Sequence, residues 1–152
     1  MKTLKIIFLW LLGVILVLQL VQIKIPPAPK ATPQDEIKAP KEVMAILKRS
    51  CYDCHSNHTK MPWYGNISPV SIMVHSNIKN GRAWMNFSIW NRYDEAKKQK
   101  FYKGIYKALM INMPPPEYLL IHKNAKLSKK DIKVLQEWAK SHIKEDDDSK
   151  WE

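Results

Sequence analysis

An all-α domain is what this sequence predicts, from three observations. Apolar residues recur at three- and four-residue intervals, prolines and helix-capping residues punctuate those stretches, and no stretch convincingly alternates apolar with polar side chains. Four glycines against ten prolines in 152 residues argue against a glycine-rich phosphate-binding fold. Two cysteines exclude a disulfide scaffold and a four-cysteine zinc site.

The elements follow in chain order. Lys2 and Lys5 precede an uncharged apolar run from Ile6 to Val21. It ends in Leu18, Gln19, Leu20, Val21 and Gln22, with none of the small residues that mark a signal-peptide cleavage site. Residues 1–25 are therefore expected to form an uncleaved membrane anchor with an N-terminal transmembrane helix. Pro26, Pro27, Pro29, Pro33 and Pro40 stand among Lys, Ala and Thr, so 26–39 is expected to be an extended tether that lifts the domain off the bilayer.

The domain itself, 40–144, resolves into four main helices. Pro40 suits the first turn of one that carries Val43, Ile46, Leu47 and Arg49 up to Cys51. Ser68 and Pro69 open a second, with Val70, Met73, Val74 and Ile78 on its apolar face and Asn80-Gly81 closing it. A third spans about Asp94 to Met110 with Phe101, Ile105, Ala108 and Leu109 on one side; Gly104 weakens it or admits a close approach. Ser128 caps the last, Asp131 nearly completes a capping box, Leu127 and Ile132 are spaced as a hydrophobic staple, and Leu135, Trp138 and Ala139 continue the stripe. Residues 145–152, beginning Glu145-Asp146-Asp147-Asp148, form an acidic tail expected to be disordered.

Both cysteines stand in one motif, Cys51-Tyr52-Asp53-Cys54-His55. This C-x-x-C-H spacing is how a c-type haem is attached. Two thiols three residues apart on a helical turn reach the two vinyl groups of one porphyrin, and the next histidine lies beneath the iron as the proximal ligand. A thioredoxin-like pair would need a βαβ setting that is missing here. A zinc site would need two more ligands from His58, His75, His122 or His142, without a second paired motif. A disulfide across so short a loop adds little stability.

The iron's second axial position has several candidates. Met113 stands first, in Asn112-Met113-Pro114-Pro115-Pro116, where three prolines stiffen the backbone and hold the thioether at low entropic cost. A methionine sulfur opposite histidine raises the potential. Met110, His75, His58 and an open position are the alternatives. Trp63, Tyr64, Trp84 and Trp90 fall between motif and Met113, as a wall around a large planar ring would require. Trp63, Tyr64 and Arg82 are candidates for donating to the haem propionates.

The chain resembles the bacterial haem-binding domain family built on this motif, and through it the class I c-type cytochromes. The resemblance runs from about Pro40 to Ile143 and is carried by CYDCHSNHTKMPWYGNISPVS, GRAWMNFSIW and MPPPEYLLIHKNAKLS. It implies a small cytochrome c-like helical domain with one haem c, thioether-linked at Cys51 and Cys54, with His55 proximal and Met113 distal. It also implies export, with the domain facing the periplasm from a single-pass anchor in the bacterial inner membrane. The segment from Trp63 to Trp90 is longer and more aromatic than in ordinary class I cytochromes and lacks their Gly-Pro loop.

Charge narrows the partners. Lys and Arg number 25 against 14 acids, a net +11, and only Lys2 and Lys5 of the basic residues precede Ile23. An exported domain keeps that surplus away from nucleic acid, leaving membrane lipid and redox proteins with acidic docking surfaces. The expected role is electron transfer. The alternative is a haem-based sensor or ligand-binding module with a vacant or labile sixth position. An enzyme is not expected, since a single motif stands without an acid–base pair.

Overall fold

The structure, a computed structural model, describes residues 2–21, 23–111 and 113–144. Helices α1 (Lys2–Leu18), α2 (Lys41–Ser50), α3 (Tyr52–His55), α4 (Val70–Trp84), α5 (Glu95–Ile111), α6 (Pro116–Leu119) and α7 (Lys129–Lys140) follow one another with 3-10 turns at Trp63–Asn66, Phe87–Arg92 and Lys123–Ala125. Among the described residues there is no strand, so the all-α expectation holds. The acidic tail expected over 145–152 lies outside the described residues.

The N-terminal helix is shorter than the apolar run. After Leu18 the backbone tightens into three-residue turns, with the Gln19, Leu20 and Val21 amides donating to the Leu16, Val17 and Leu18 carbonyls at 3.2, 3.0 and 3.0 Å. Helix α1 has 17 residues, which span about 25 Å against a hydrocarbon core of about 30 Å. Among the described residues, no helix is long and apolar enough to cross a membrane. The described residues thus lend no support to the transmembrane helix expected within 1–25. None of the residues of α1 is buried.

The proline segment is extended but pinned to the domain rather than hanging as a free tether. Ile37 is buried and its amide donates to the Phe87 carbonyl at 2.9 Å. Arg92 makes a two-pronged contact with the Asp35 carboxylate at 3.0 and 2.7 Å. Tyr52 Oη donates to Glu36 at 3.0 Å, and Asn57 Nδ2 donates to the Pro29 carbonyl at 2.7 Å.

Spacing explains the core. Val43, Ile46, Leu47 and Ser50 line the buried stripe of α2, and Leu135, Trp138 and Ala139 line that of α7. Between them α5 contributes Phe101, Tyr102 and Ile105, and the turn after α4 contributes Phe87 and Trp90. The rings pack edge to face: Tyr93–Phe101 at 4.9 Å, Trp90–Tyr102 at 5.2 Å and Tyr102–Trp138 at 5.4 Å. Both halves of the capping box form, with Asp131 accepting from the Ser128 amide at 2.8 Å and Ser128 Oγ from the Asp131 amide at 3.1 Å. Arg49 reaches across from α2 to the same Asp131 at 2.9 Å, tying the two helices together.

Helix α4 runs a turn beyond its expected stop at Asn80-Gly81 and ends at Trp84. No described glycine has positive φ, so Gly81 is not a helix terminator. Its missing side chain serves packing instead: an added Cβ would sit 2.5 Å from the Cys54 carbonyl oxygen. The close approach expected at Gly104 is made by Trp84, whose indole occupies the space of the absent side chain.

Candidate haem site

Helices α2 and α3 meet at Cys51, and this junction sets the geometry of the motif. The Cys51 amide closes α2 on the Leu47 carbonyl at 2.8 Å, and the Cys51 carbonyl then accepts from the Cys54 and His55 amides at 3.3 and 3.0 Å. One helical turn thus carries both thiols and the imidazole. Both cysteines are free and partly buried. Burial pushes the Cys51 thiol up to about 12, with the neighbouring Cys54 adding to the rise. Burial and the Asp53 carboxylate push Cys54 up to about 11. At neutral pH both are protonated thiols.

His55 is oriented by the backbone beyond α4. Its Nδ1 lies 3.1 Å from the Met85 carbonyl, so Nδ1–H donates and Nε2 keeps its lone pair. Burial lowers its pKa, which favours that neutral form. The ring is flanked by Trp84 edge-on at 6.2 Å and Phe87 at 6.0 Å.

Cys51, Cys54 and His55 open into one cavity of about 370 Å³. Helix α4 contributes Gly81 and Trp84 to its lining, α5 contributes Gly104 and Ile105, and α7 contributes Leu135. Met113, Pro114, Pro115 and Tyr118 complete it from the segment after α5. The volume falls in the range of about 300–1,000 Å³ usual for cofactor sites. Two free thiols, an imidazole nitrogen, a thioether and an apolar lining are a donor set that fits haem.

The structure separates the other expected residues. Met113 shares the cavity with His55 and is 45% exposed. Met110 is exposed and outside the lining. His75 is buried with both nitrogens engaged, Nδ1 with the Ile23 carbonyl at 2.6 Å and Nε2 with Asn66 Oδ1 at 3.2 Å. His58 faces Glu36 at 3.7 Å. Trp84 lines the cavity, whereas Trp90 belongs to the core.

Trp63, Tyr64 and Arg82 are not among the lining residues. Trp63 is 84% exposed. The Tyr64 hydroxyl meets His122 Nε2 at 2.7 Å. Arg82 clamps the loop after the motif, Nε donating to the Ser56 carbonyl and Nη2 to Thr59 Oγ1, both at 2.8 Å. Asn77, Asn80 and Tyr118 line the cavity without having been singled out in the sequence. For Tyr118 the available signal was its place just beyond the proline run. Asn77 and Asn80 sit four residues before Gly81 and Trp84, respectively, on α4, which helical spacing alone would have grouped with them.

These features define a helical haem-binding domain. Residues 12–141 match the Haem-binding domain family, and since that is most of the chain, this protein belongs to that family. No curated protein and no solved structure matches it.

Proposed function

We propose that this chain is a membrane-anchored monohaem c-type cytochrome that transfers electrons on the periplasmic side. In this reading Cys51 and Cys54 hold one haem c through thioether bonds, His55 Nε2 is the proximal iron ligand and Met113 the distal one. Bound haem supplies one-electron chemistry at its iron. The protein's part is to exclude water with Trp84, Ile105 and Leu135, to fix the imidazole through Met85, and to hold a thioether on a stiff Met-Pro loop.

One observation carries the reading. Both thiols, His55 and Met113 line a single cavity, while His75, His58 and Met110 are held elsewhere. The basic surplus supports acidic redox proteins as partners. Beyond Lys2 and Lys5, helix α1 carries no charge and leaves its apolar side chains unburied, which supports insertion of the N-terminal segment in the cytoplasmic membrane.

The 45% exposure of Met113 favours a second reading, a ligand-binding module with a labile sixth position. Exposure of the ferrous haem-loaded protein to carbon monoxide decides between them. Electron transfer with firm methionine ligation predicts little or no binding. Immediate stoichiometric binding overturns it in favour of the sensor.

A further inference from the structure

Helix α1 ends docked on the domain. Gln19 holds the backbone of Ser68 on both sides: its Nε2 donates to the Ser68 carbonyl at 2.9 Å, and its Oε1 accepts from the Ser68 amide at 2.9 Å. Ser68 Oγ donates to the Val21 carbonyl at 3.1 Å, and His75 Nδ1 donates to the Ile23 carbonyl at 2.6 Å. The corner between the Trp63–Asn66 turn and α4 therefore lies where the apolar N-terminal segment stops.

That corner exposes large apolar side chains. Trp63 is 84% exposed, Ile67 46% and Met61 41%. Leu120 and Ile121 are 75% and 61% exposed, and Ile121 shares a small pocket with Pro62 and Tyr64, so it borders the same turn. Lys60 and Lys123, both exposed, flank these residues in the chain, and exposed Lys24 follows Ile23, whose carbonyl is held by His75. An exposed tryptophan among aliphatic side chains with lysines at the rim suits the boundary between acyl chains and anionic headgroups.

We propose that this corner, built from Met61, Trp63, Ile67, Leu120 and Ile121, rests on an anionic bilayer surface and fixes how the haem cavity is presented above the membrane. The inference rests on the membrane reading of α1 given above. With Gln19 and Ser68 joined, the domain cannot swing away from the end of α1 without breaking two hydrogen bonds to one backbone unit.

The test uses the full haem-loaded chain in vesicles of phosphatidylethanolamine and phosphatidylglycerol that carry a photoreactive group at headgroup depth. Labelled peptides are located by mass spectrometry. Label is expected on residues 61–67 and 120–123 as well as on 1–21. The Trp63→Ser, Ile121→Ser double variant should lose that label severalfold at 61–67 and 120–123 and keep it at 1–21. Label confined to 1–21, as when a protein partner or a second copy covers the corner, overturns this proposal and leaves the membrane reading standing. No label anywhere overturns both. Equal labelling of the corner in phosphatidylcholine vesicles overturns the anionic preference.

Discussion

The Tyr118 hydroxyl donates to the Asp53 carboxylate at 2.8 Å, joining residues 65 positions apart. Asp53 lies between the two cysteines, Tyr118 follows the Met-Pro loop, and both line the cavity. The bond therefore ties the thiol-bearing turn to the segment that carries Met113. Burial and the adjacent Asp53 raise the Tyr118 pKa, which keeps it a donor at any physiological pH.

Tyr118→Phe keeps the ring and removes that tie. The expected cost is about 1.5–3 kcal/mol of stability, the net worth of one hydrogen bond to a charged group. Carbon monoxide should bind the ferrous variant faster than wild type because Met113 is held less firmly. Asp53→Asn should act in the same direction. If melting temperature and binding rate are unchanged in both, the bond does not position the loop.

Met113→Ala should lower the reduction potential and open the sixth position to carbon monoxide. Met110→Ala, on an exposed side chain outside the cavity, should alter neither. His75→Ala should loosen the contact with Ile23 and leave the potential unchanged. A redox titration in which His75→Ala shifts the potential and Met113→Ala does not would refute methionine ligation.

Gly81→Ala tests the packing of α4 on the haem-attachment turn. At an ordinary exposed helix position this change stabilises by about 1 kcal/mol. Here the new methyl meets the Cys54 carbonyl, a backbone atom that cannot rotate away. Overpacking of this kind costs about 1–3 kcal/mol, so chemical denaturation should show a net loss. A stabilised variant would contradict the close contact.

What could be read from the sequence were features whose cause is local. The C-x-x-C-H turn and the Ser128–Asp131 capping box each depend on residues within a turn of one another, whereas Gly104 announced a close approach without naming Trp84 on another helix as the group that makes it. Long-range partners were not legible. Nothing near Asp35 announces Arg92, 57 positions away, so the proline segment read as a free tether. Tyr64 and Arg82 have the polarity of propionate donors, but His122, Ser56 and Thr59 already engage them. The Asn80-Gly81 stop signal yielded to a tertiary need, since α4 must continue for Trp84 to reach Gly104.

Acid should weaken the junction of α2 and α7. The Ser128 amide foremost, then the Ser128 hydroxyl and Arg49, hold the Asp131 carboxyl below the ordinary carboxylate range. A depressed native pKa means the stabilisation is complete above the unfolded value, about 3.9, and is lost as pH falls through the native one. Melting temperature should therefore decline below about pH 4 in wild type and less steeply in Asp131→Asn. Ser128→Ala should cost about 1 kcal/mol at neutral pH, since it removes the cap itself. Equal acid sensitivity in wild type and Asp131→Asn would count against this assignment.

The central claim is that Cys51 and Cys54 hold haem covalently. The full chain, produced with a c-type haem-attachment system, is denatured in acidified organic solvent and its intact mass measured. The chain is expected to retain the mass of one haem in wild type, to retain it through one bond in Cys51→Ser or Cys54→Ser, and to lose it in the double variant. A wild-type polypeptide that emerges at its bare mass, with all haem in the solvent, would contradict the account.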